Sequence, residues 1–226
     1  MADQEVMAAM ARSFLGGLPS GLVDELLAAG DCIGVPAAST IYRQGDSPRA
    51  FLVVHGLLRV YMTSPEGRQV TVRYARDDDV LGIAVLVGGP ADVAVQTLAE
   101  SRIFRIDARI LTARARRDAA VAWALAEELN RRLYDTLQQT AINAFGTVRQ
   151  RVAAHLLDIA SARQRPGGPL VARASQQELA DAAGSVREVV ARVLREFRIS
   201  GLVATATDSI RVLDPAGLHD ECWNRR

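Results

Sequence analysis

Between residues 33 and 106 the apolar residues fall in short runs, "AFLVVHGLLRVYM", "QVTVRYA" and "RIFRID" among them, cut apart by turn-formers such as "SPEGR". "STIYRQGD", "DDDVLGIAV" and "VAVQTLAES" read as further β-rich runs of the same unit. This spacing predicts a small antiparallel barrel or sandwich. On either side the period lengthens to that of a helix. Residues 18–29 predict a short amphipathic helix, with Pro19-Ser20 near its start and Gly30 stopping it. After Asp107 the pattern is helical again, and over Ala119–Phe145 the residues Leu125, Leu129, Leu133, Thr136, Leu137, Thr140 and Ala144 recur at steps of three and four. At 1.5 Å per residue that helix is roughly 39 Å long. A helix longer than its barrel has apolar surface to spare. A parallel homodimer seam through Leu125, Leu129, Leu133, Thr136 and Thr140 would bury it, and packing on its own domain is the alternative.

Residues 148–160 predict another amphipathic helix, and "RQRPGGP" a loop. In "ASQQELADAAG" Ser175 is followed three residues later by Glu178, a capping box that starts a helix, and Gly184 ends it. The next stretch, "GSVREVVARVLREF", divides on a helical wheel of about 100° per residue. Arg187, Glu188, Ala191, Arg192 and Arg195 fall in one arc, and Val189, Val190, Val193, Leu194 and Phe197 in the opposite one. Helix, tight turn at Gly184-Ser185 and helix make a helix-turn-helix. Residues 202–206 and 209–213, joined across Thr207-Asp208, add a β-hairpin wing. In such a unit the second helix enters the major groove with its N-terminal residues at base edges. Arg187, Glu188 and Arg192 occupy that place; Arg can bond guanine O6 and N7, and Glu can accept from cytosine N4. An ordinary solvated face carrying a Glu188/Arg192 pair is the plainer alternative.

Composition limits the remaining choices. At 226 residues the chain lies between one and two domains, and 49% hydrophobic content argues for packed cores over disorder. A net charge of +1 gives no overall basic field, so a nucleic-acid site has to be a local patch. From residue 146 to 226 there are 12 Arg against 9 Asp and Glu, an excess of 3 in the helix-turn-helix region. All 27 basic residues are Arg, which fits a GC-rich genome better than a demand for bidentate phosphate contacts. Cys32 and Cys222 form no CxxC and cannot supply four thiolates to a cluster, so reduced thiols are expected. Asp3 and Glu5 stand where a signal peptide would be basic, and the longest apolar run, 80–89, falls short of the ~20 residues of a membrane span. A soluble cytoplasmic protein without a membrane partner is expected. "GLPSG" at 17–21 opens a helix and has no preceding strand, which argues against a nucleophile elbow; without a P-loop or metal cluster no enzyme is expected.

Over nearly its whole length the sequence resembles the cyclic AMP receptor protein / fumarate-nitrate reduction regulator (Crp/Fnr) family of bacterial transcription factors. The resemblance is carried by "RQGD" at 43–46, the Gly56 and Gly67 turns around "GLLRVY", "RRL" at 131–133, and Arg187, Glu188 and Arg192. It implies an α+β fold with an N-terminal antiparallel β-roll of the cyclic-nucleotide-binding, jelly-roll type (1–118), a long dimerisation helix (119–145) and a C-terminal winged helix-turn-helix (146–226). It also implies that the Arg-Glu-x-x-x-Arg triplet reads a TGTGA-like half-site, with Ser175 holding a phosphate and Arg195 on the same DNA-facing arc. Double-stranded DNA with a pseudo-palindromic operator, a second copy of the chain, RNA polymerase and a small-molecule effector are the partners that follow. Val186 departs from the family's usual Ser or Thr before the triplet.

The effector region departs further. Members that bind cyclic nucleotides carry Gly-Glu-Leu followed by Arg-Ser/Thr-Ala, the Glu on the ribose hydroxyl and the Arg on the cyclic phosphate. Here the matching stretch is "GIAVLVGGPADVAV": Gly82, Ile83 and Ala84 stand in the first part, and Asp92 or Val93 where the Arg should be. Without that Arg the phosphate loses a charge-assisted pair, and Asp92 adds repulsion. Cyclic AMP binding in the family's manner is therefore not expected. Thr136-Leu137 aligns with the Thr-Ser pair that touches adenine, and Arg73 or Arg76 could approach from an adjacent strand, so a nucleotide-responsive regulator with an altered cassette stays open. An apolar effector pocket, or no effector, fits Leu81, Ile83, Val85, Leu86 and Val87. For haem the only histidines are His55, His155 and His219; a lone His is more often structural, and no cofactor is expected. A ligand-binding or interaction module whose winged helix contacts protein is the alternative from another class.

Overall fold

The computed structural model describes residues 2–47, 49–63, 65, 69–89, 92–162, 164, 168–206 and 209–223. The chain opens with α1 (Ala2–Arg12), a 3-10 turn (Phe14–Gly17) and α2 (Ser20–Ala29). There follow β1 (Asp31–Val35), β2 (Thr40–Tyr42), β3 (Ala50–His55), β4 (Leu57–Thr63), β5 (Gln69–Arg76), β6 (Val80–Leu81), α3 (Ile83–Gly88), β7 (Ala94–Thr97) and β8 (Ser101–Ile106). These strands form two antiparallel four-stranded sheets, ordered β1-β8-β3-β6 and β2-β7-β4-β5. β3 shows why its sequence is an unbroken apolar run. Phe51 and Val53 point into the core between the sheets, whereas Ala50, Leu52 and Val54 pack outward against Met10, Leu22 and Leu26 of the N-terminal helices. A strand buried on both faces has no polar alternation. Gly56 turns β3 into β4 at φ 129°, and a Cβ there would strike Ser101.

The reading of "DDDVLGIAV" as one β-rich run is corrected. Only Val80–Leu81 is strand; Gly82, at φ 90°, starts α3, and Gly89, at φ 82°, ends it with its N–H on Val85 O. A Cβ on Gly82 would meet Arg49 O, so the strand's exit requires glycine. Short apolar runs do not distinguish strand from buried helix by periodicity. Gly67 and the Thr207-Asp208 joint lie outside the described residues, as do parts of "RQRPGGP" and "SPEGR".

The second half is helical. α4 (Ala108–Ala115) leads to α5 (Ala119–Phe145), which Asp118 caps by accepting from Ala120 N at 3.0 Å. After α6 (Val148–Ala162) come β9 (Val171–Ala172), α7 (Gln176–Ala182), α8 (Arg187–Ile199), β10 (Val203–Thr205), β11 (Ile210–Val212) and α9 (Pro215–Trp223). β10-β11-β9 make a three-stranded antiparallel sheet beside the three helices α6, α7 and α8. Their core of Leu156, Leu179, Val190, Phe197 and Ile210 extends without a gap to Leu57, Tyr74 and Leu98 of the β-roll. The Arg59 guanidinium, 1% exposed, donates to Thr71 Oγ1 at 2.6 Å; Thr71 in turn donates to Asp158 of α6, and the Tyr74 hydroxyl donates to the same oxygen at 3.0 Å. Arg76 reaches Asp220 of α9 at 2.6 Å. No helix among the described residues is long and apolar enough to cross a membrane.

Candidate nucleic-acid interface and internal cavity

The capping box forms as the sequence requires: Glu178 N donates to Ser175 Oγ at 3.2 Å, and Ser175 N donates to the Glu178 carboxylate at 2.7 Å. Ser175 Oγ is thus engaged at the N-terminus of α7 and half-buried. Gly184 takes φ 56°, and Ser185 N bonds Ala180 O at 2.8 Å, closing the turn into α8. Arg151 of α6 donates to Ala183 O at 2.8 Å and also to Gly146 O, so one guanidinium joins the turn to the end of α5. In α8, Val190, Val193, Leu194 and Phe197 are buried. Arg149 holds that buried face in place, 4.5 Å over the Phe197 ring, with bonds to Glu196 at 2.5 Å and Glu221 at 2.7 Å.

Arg187, Glu188, Arg192 and Arg195 are all exposed on the opposite face. Their side chains make no hydrogen bond or ion pair among the described residues, so the Glu188/Arg192 pair that spacing permits is not formed. Val186, the N-cap, offers no side-chain acceptor to the first turn. The result is a row of unspent donors and one acceptor at the start of a helix whose position is fixed from behind by three elements.

On α5 the expected seam is corrected. Leu125 is buried in its own chain with Leu15, Leu111 and Val121, Leu129 packs against the same cluster, and Thr136 is half-buried with Oγ1 donating to Arg132 O at 3.0 Å. Those three positions are taken up by contacts within the chain, whereas Leu133 and Thr140 of the expected seam are exposed. The outward apolar stripe keeps Leu133 and adds Leu137, which are 56% and 53% exposed, with Trp123, Tyr134 and Phe145 also exposed. Ala126, Asn130, Leu133, Leu137, Thr140 and Ala144 are all exposed and alternate steps of four and three, the heptad spacing of a coiled coil.

Inside the β-roll, under α3 and α5, lies a cavity of about 190 Å³. Gly82, Ile83, Ala84, Val93 and Thr136 line it; Asp92 and Leu137 do not. Asp92 faces solvent and accepts from Gln44 at 3.4 Å, and Leu137 lies on the outer face of α5. Most of the wall is apolar, from Phe51, Val60, Val72, Val95 and Leu129, and three arginines, Arg49, Arg73 and Arg132, reach it. Burial, and then the neighbouring Arg132, push Arg73 down to about 10. Arg76 instead faces the adjoining cleft toward α9. Ile83 forms wall at the position that the resemblance gives to a ribose-binding Glu. None of the three histidines lines the cavity. Arg49 and Arg132 have no local sequence signal as pocket residues, because strand pairing and helix packing bring them together.

Residues 32–128 match the family model of the cyclic nucleotide-binding domain, and residues 150–221 that of the Crp-like helix-turn-helix domain. The transcriptional regulator LdrP of Thermus thermophilus is 34% identical over 188 residues, covering 80% of this chain and 92% of that protein. The chain belongs to the Crp/Fnr family. It is a DNA-binding transcription regulator and not an enzyme. Among other Crp/Fnr relatives, a CRP-like cAMP-activated global transcriptional regulator of Mycobacterium tuberculosis is 26% identical, covering 80% of this chain and 84% of that protein. The Crp/Fnr fold is shared with a crystal structure of a transcriptional regulator from Eubacterium rectale, with TM-score 0.59, 24% identity, and coverage of 92% of this chain and 97% of that one.

Proposed function

We propose that this regulator binds a pseudo-palindromic, TGTGA-like operator as a homodimer, reading bases with Arg187, Glu188 and Arg192 and touching phosphates with Ser175 and Arg195. The observation that carries the reading is the exposed face of α8, whose charged side chains are all unspent within the described residues. A solvated face of ordinary function would pair Glu188 with Arg192; a readout face keeps both free. The outward stripe of α5, centred on Leu133 and Leu137, is the dimer seam, and it sets two α8 helices about one DNA turn apart, ~34–36 Å. The effector is a non-nucleotide small molecule, or there is none, and no haem is required. RNA polymerase is the further partner, and the cytoplasm the place of action.

Fluorescence anisotropy on a TGTGA-N6-TCACA duplex and a scrambled control tests this. Selective binding that weakens steeply with salt is expected. Arg187→Ala should cost about 1–3 kcal/mol at one base position and relax preference there. Equal loss on both duplexes would overturn the readout. A second reading, a nucleotide-responsive regulator with an altered cassette, is favoured by Thr136 lining the cavity and by the Mycobacterium relative named as cAMP-activated. Saturable micromolar binding of cyclic AMP in calorimetry would establish it.

A further inference from the structure

The cavity wall divides into two kinds of surface. Its aliphatic part comes from Val60, Val72, Val95 and Leu129, and its polar part from three guanidinium groups, with no carboxylate or amide side chain lining it. The two lining hydroxyls already donate elsewhere: Tyr42 to Asp46 O at 2.9 Å, and Thr136 to Arg132 O at 3.0 Å. Their oxygens keep lone pairs that can still accept, but the lining has no carboxylate to take a ribose hydroxyl.

Two of the three guanidiniums have no carboxylate within hydrogen-bond range among the described residues. Arg49, at the mouth, makes no hydrogen bond or ion pair among the described residues. Arg73 is 9% exposed; it donates to Tyr74 O at 3.2 Å, and its nearest carboxylate, Asp79, lies at 3.8 Å, beyond a hydrogen bond. Arg132 is already engaged on three carboxylates: Nε lies 2.7 Å and Nη2 2.5 Å from Glu128 Oε1, and Nη1 reaches Asp79 at 2.8 Å and Asp135 at 3.3 Å. Asp79 and Asp135 lie on the neighbouring cleft and not on the cavity. A buried guanidinium such as Arg73 without a carboxylate in range is costly, and an anion relieves it with a charge-assisted bond.

Size limits the occupant. About 190 Å³ is a little more than the ~150 Å³ that holds a benzene ring and less than the ~300 Å³ at which clefts for drug-sized ligands begin. We propose that the cavity binds a compact amphipathic carboxylate, its body about one aromatic ring in size against Val60, Val95 and Leu129 and its carboxylate on Arg73. The assignment rests on the effector reading above and specifies its ligand class. Such an anion competes with Asp79 for Arg73, and Asp79 shares its cleft with His219 and Trp223 of α9, so occupancy is felt at the winged helix.

Isothermal titration calorimetry on the full chain tests it, with phenylacetate, its neutral isostere phenylacetamide, and cyclic AMP as separate titrants. Phenylacetate should saturate one site per chain, and phenylacetamide should bind at least about ten-fold weaker. Arg73→Gln should lose the same factor. Val93→Phe, which fills the rim without touching a guanidinium, should abolish binding while the thermal midpoint is kept, and it holds the test open if Arg73→Gln fails to fold. Absence of phenylacetate binding, equal binding of acid and amide, or tighter binding of cyclic AMP would each overturn the assignment. Operator binding by the same preparation is read separately, so failure of the DNA reading appears there and failure of the cavity assignment appears in the calorimeter.

Discussion

Val186 shows how a single residue can be tuned away from stability without losing its place in the fold. It sits at the N-cap of α8 with extended backbone, φ −110° and ψ 153°, and supplies no acceptor. Val186→Ser keeps that geometry and adds one, so it should stabilise the domain by about 1 kcal/mol. That corresponds to a rise in Tm of about 2–4 °C with unchanged base preference; a loss of preference would place Val186 in the readout. His219 is the residue whose titration matters most. Its Nε2 accepts from Trp223 Nε1 at 3.0 Å and its ring meets Tyr74 edge-on at 4.9 Å, so the neutral tautomer is the one held. Burial, and then Arg76, lower it from 6.5 to about 4, against the smaller opposing pull of Asp220 and Asp79. Between those values the unfolded chain carries a proton that the folded one lacks. Stability is therefore complete above about pH 6.5 and declines as pH falls toward 4, by up to about 3 kcal/mol. Urea midpoints at pH 7.5 and 4.5 should show this, and His219→Gln, which keeps an acceptor for Trp223, should show less of it. Arg187, Glu188 and Arg192 were legible in the sequence because a helix period alone puts them on one face. Arg132 was not, because its cavity neighbours Arg49 and Arg73 lie far away along the chain.

Among the elements, α5 separates two functions by about 100° of rotation. Its inward stripe, Val121, Leu125 and Glu128, is buried against its own chain, and its outward stripe is apolar and exposed. The two stripes predict opposite phenotypes. Leu125→Ala removes buried volume and should cost about 2–5 kcal/mol of folding stability. Leu137→Glu removes nothing buried in the chain, and should leave the fold intact while halving the mass seen by sedimentation and weakening palindrome binding. If Leu137→Glu stays dimeric, the seam is elsewhere. The sequence showed the helix and its length, and of the seam residues it named, Leu133 and Thr140 lie on the exposed stripe while Leu125, Leu129 and Thr136 face the chain itself. A three-four pattern marks an apolar stripe without saying whether the partner is the chain itself or a copy. α3 was hidden for a related reason: six apolar residues between glycines suit a strand or a helix, and only the left-handed Gly82 decides. α1 carries its stripe on Val6, Ala9 and Met10, too weak a contrast with its flanking alanines to read.

At the scale of the whole molecule, the β-roll and the winged helix share one core and one buried polar network. The hydrogen bond from Thr71 to Asp158 spans 87 residues of sequence, so no local pattern announces it. Its chemistry is nevertheless exacting. Arg59 is buried, and Asp158, a third exposed, is the carboxylate that compensates it through Thr71, with the ion-pair distance at 3.7 Å. The Tyr74 hydroxyl is kept protonated by burial and by that same carboxylate, so it serves Asp158 as a donor throughout the physiological range. Removing Asp158 takes an acceptor from the buried Thr71 and Tyr74 hydroxyls, and a buried donor left unsatisfied costs about 1–3 kcal/mol. Asp158→Ala should therefore do more than lower stability. With the network gone, the ties include the apolar contacts at Leu57 and Leu98, the Tyr74–His219 ring contact, the bond from Gln164 to Leu98 O at 3.0 Å and the exposed Arg76–Asp220 pair, and exposed pairs contribute little. Calorimetry should then resolve the single unfolding transition into two, one for each domain, and the winged helix, no longer fixed against the β-roll, should bind the operator with an affinity that no longer responds to any ligand in the cavity. A single transition at an unchanged midpoint would mean that the shared apolar core alone holds the two halves together.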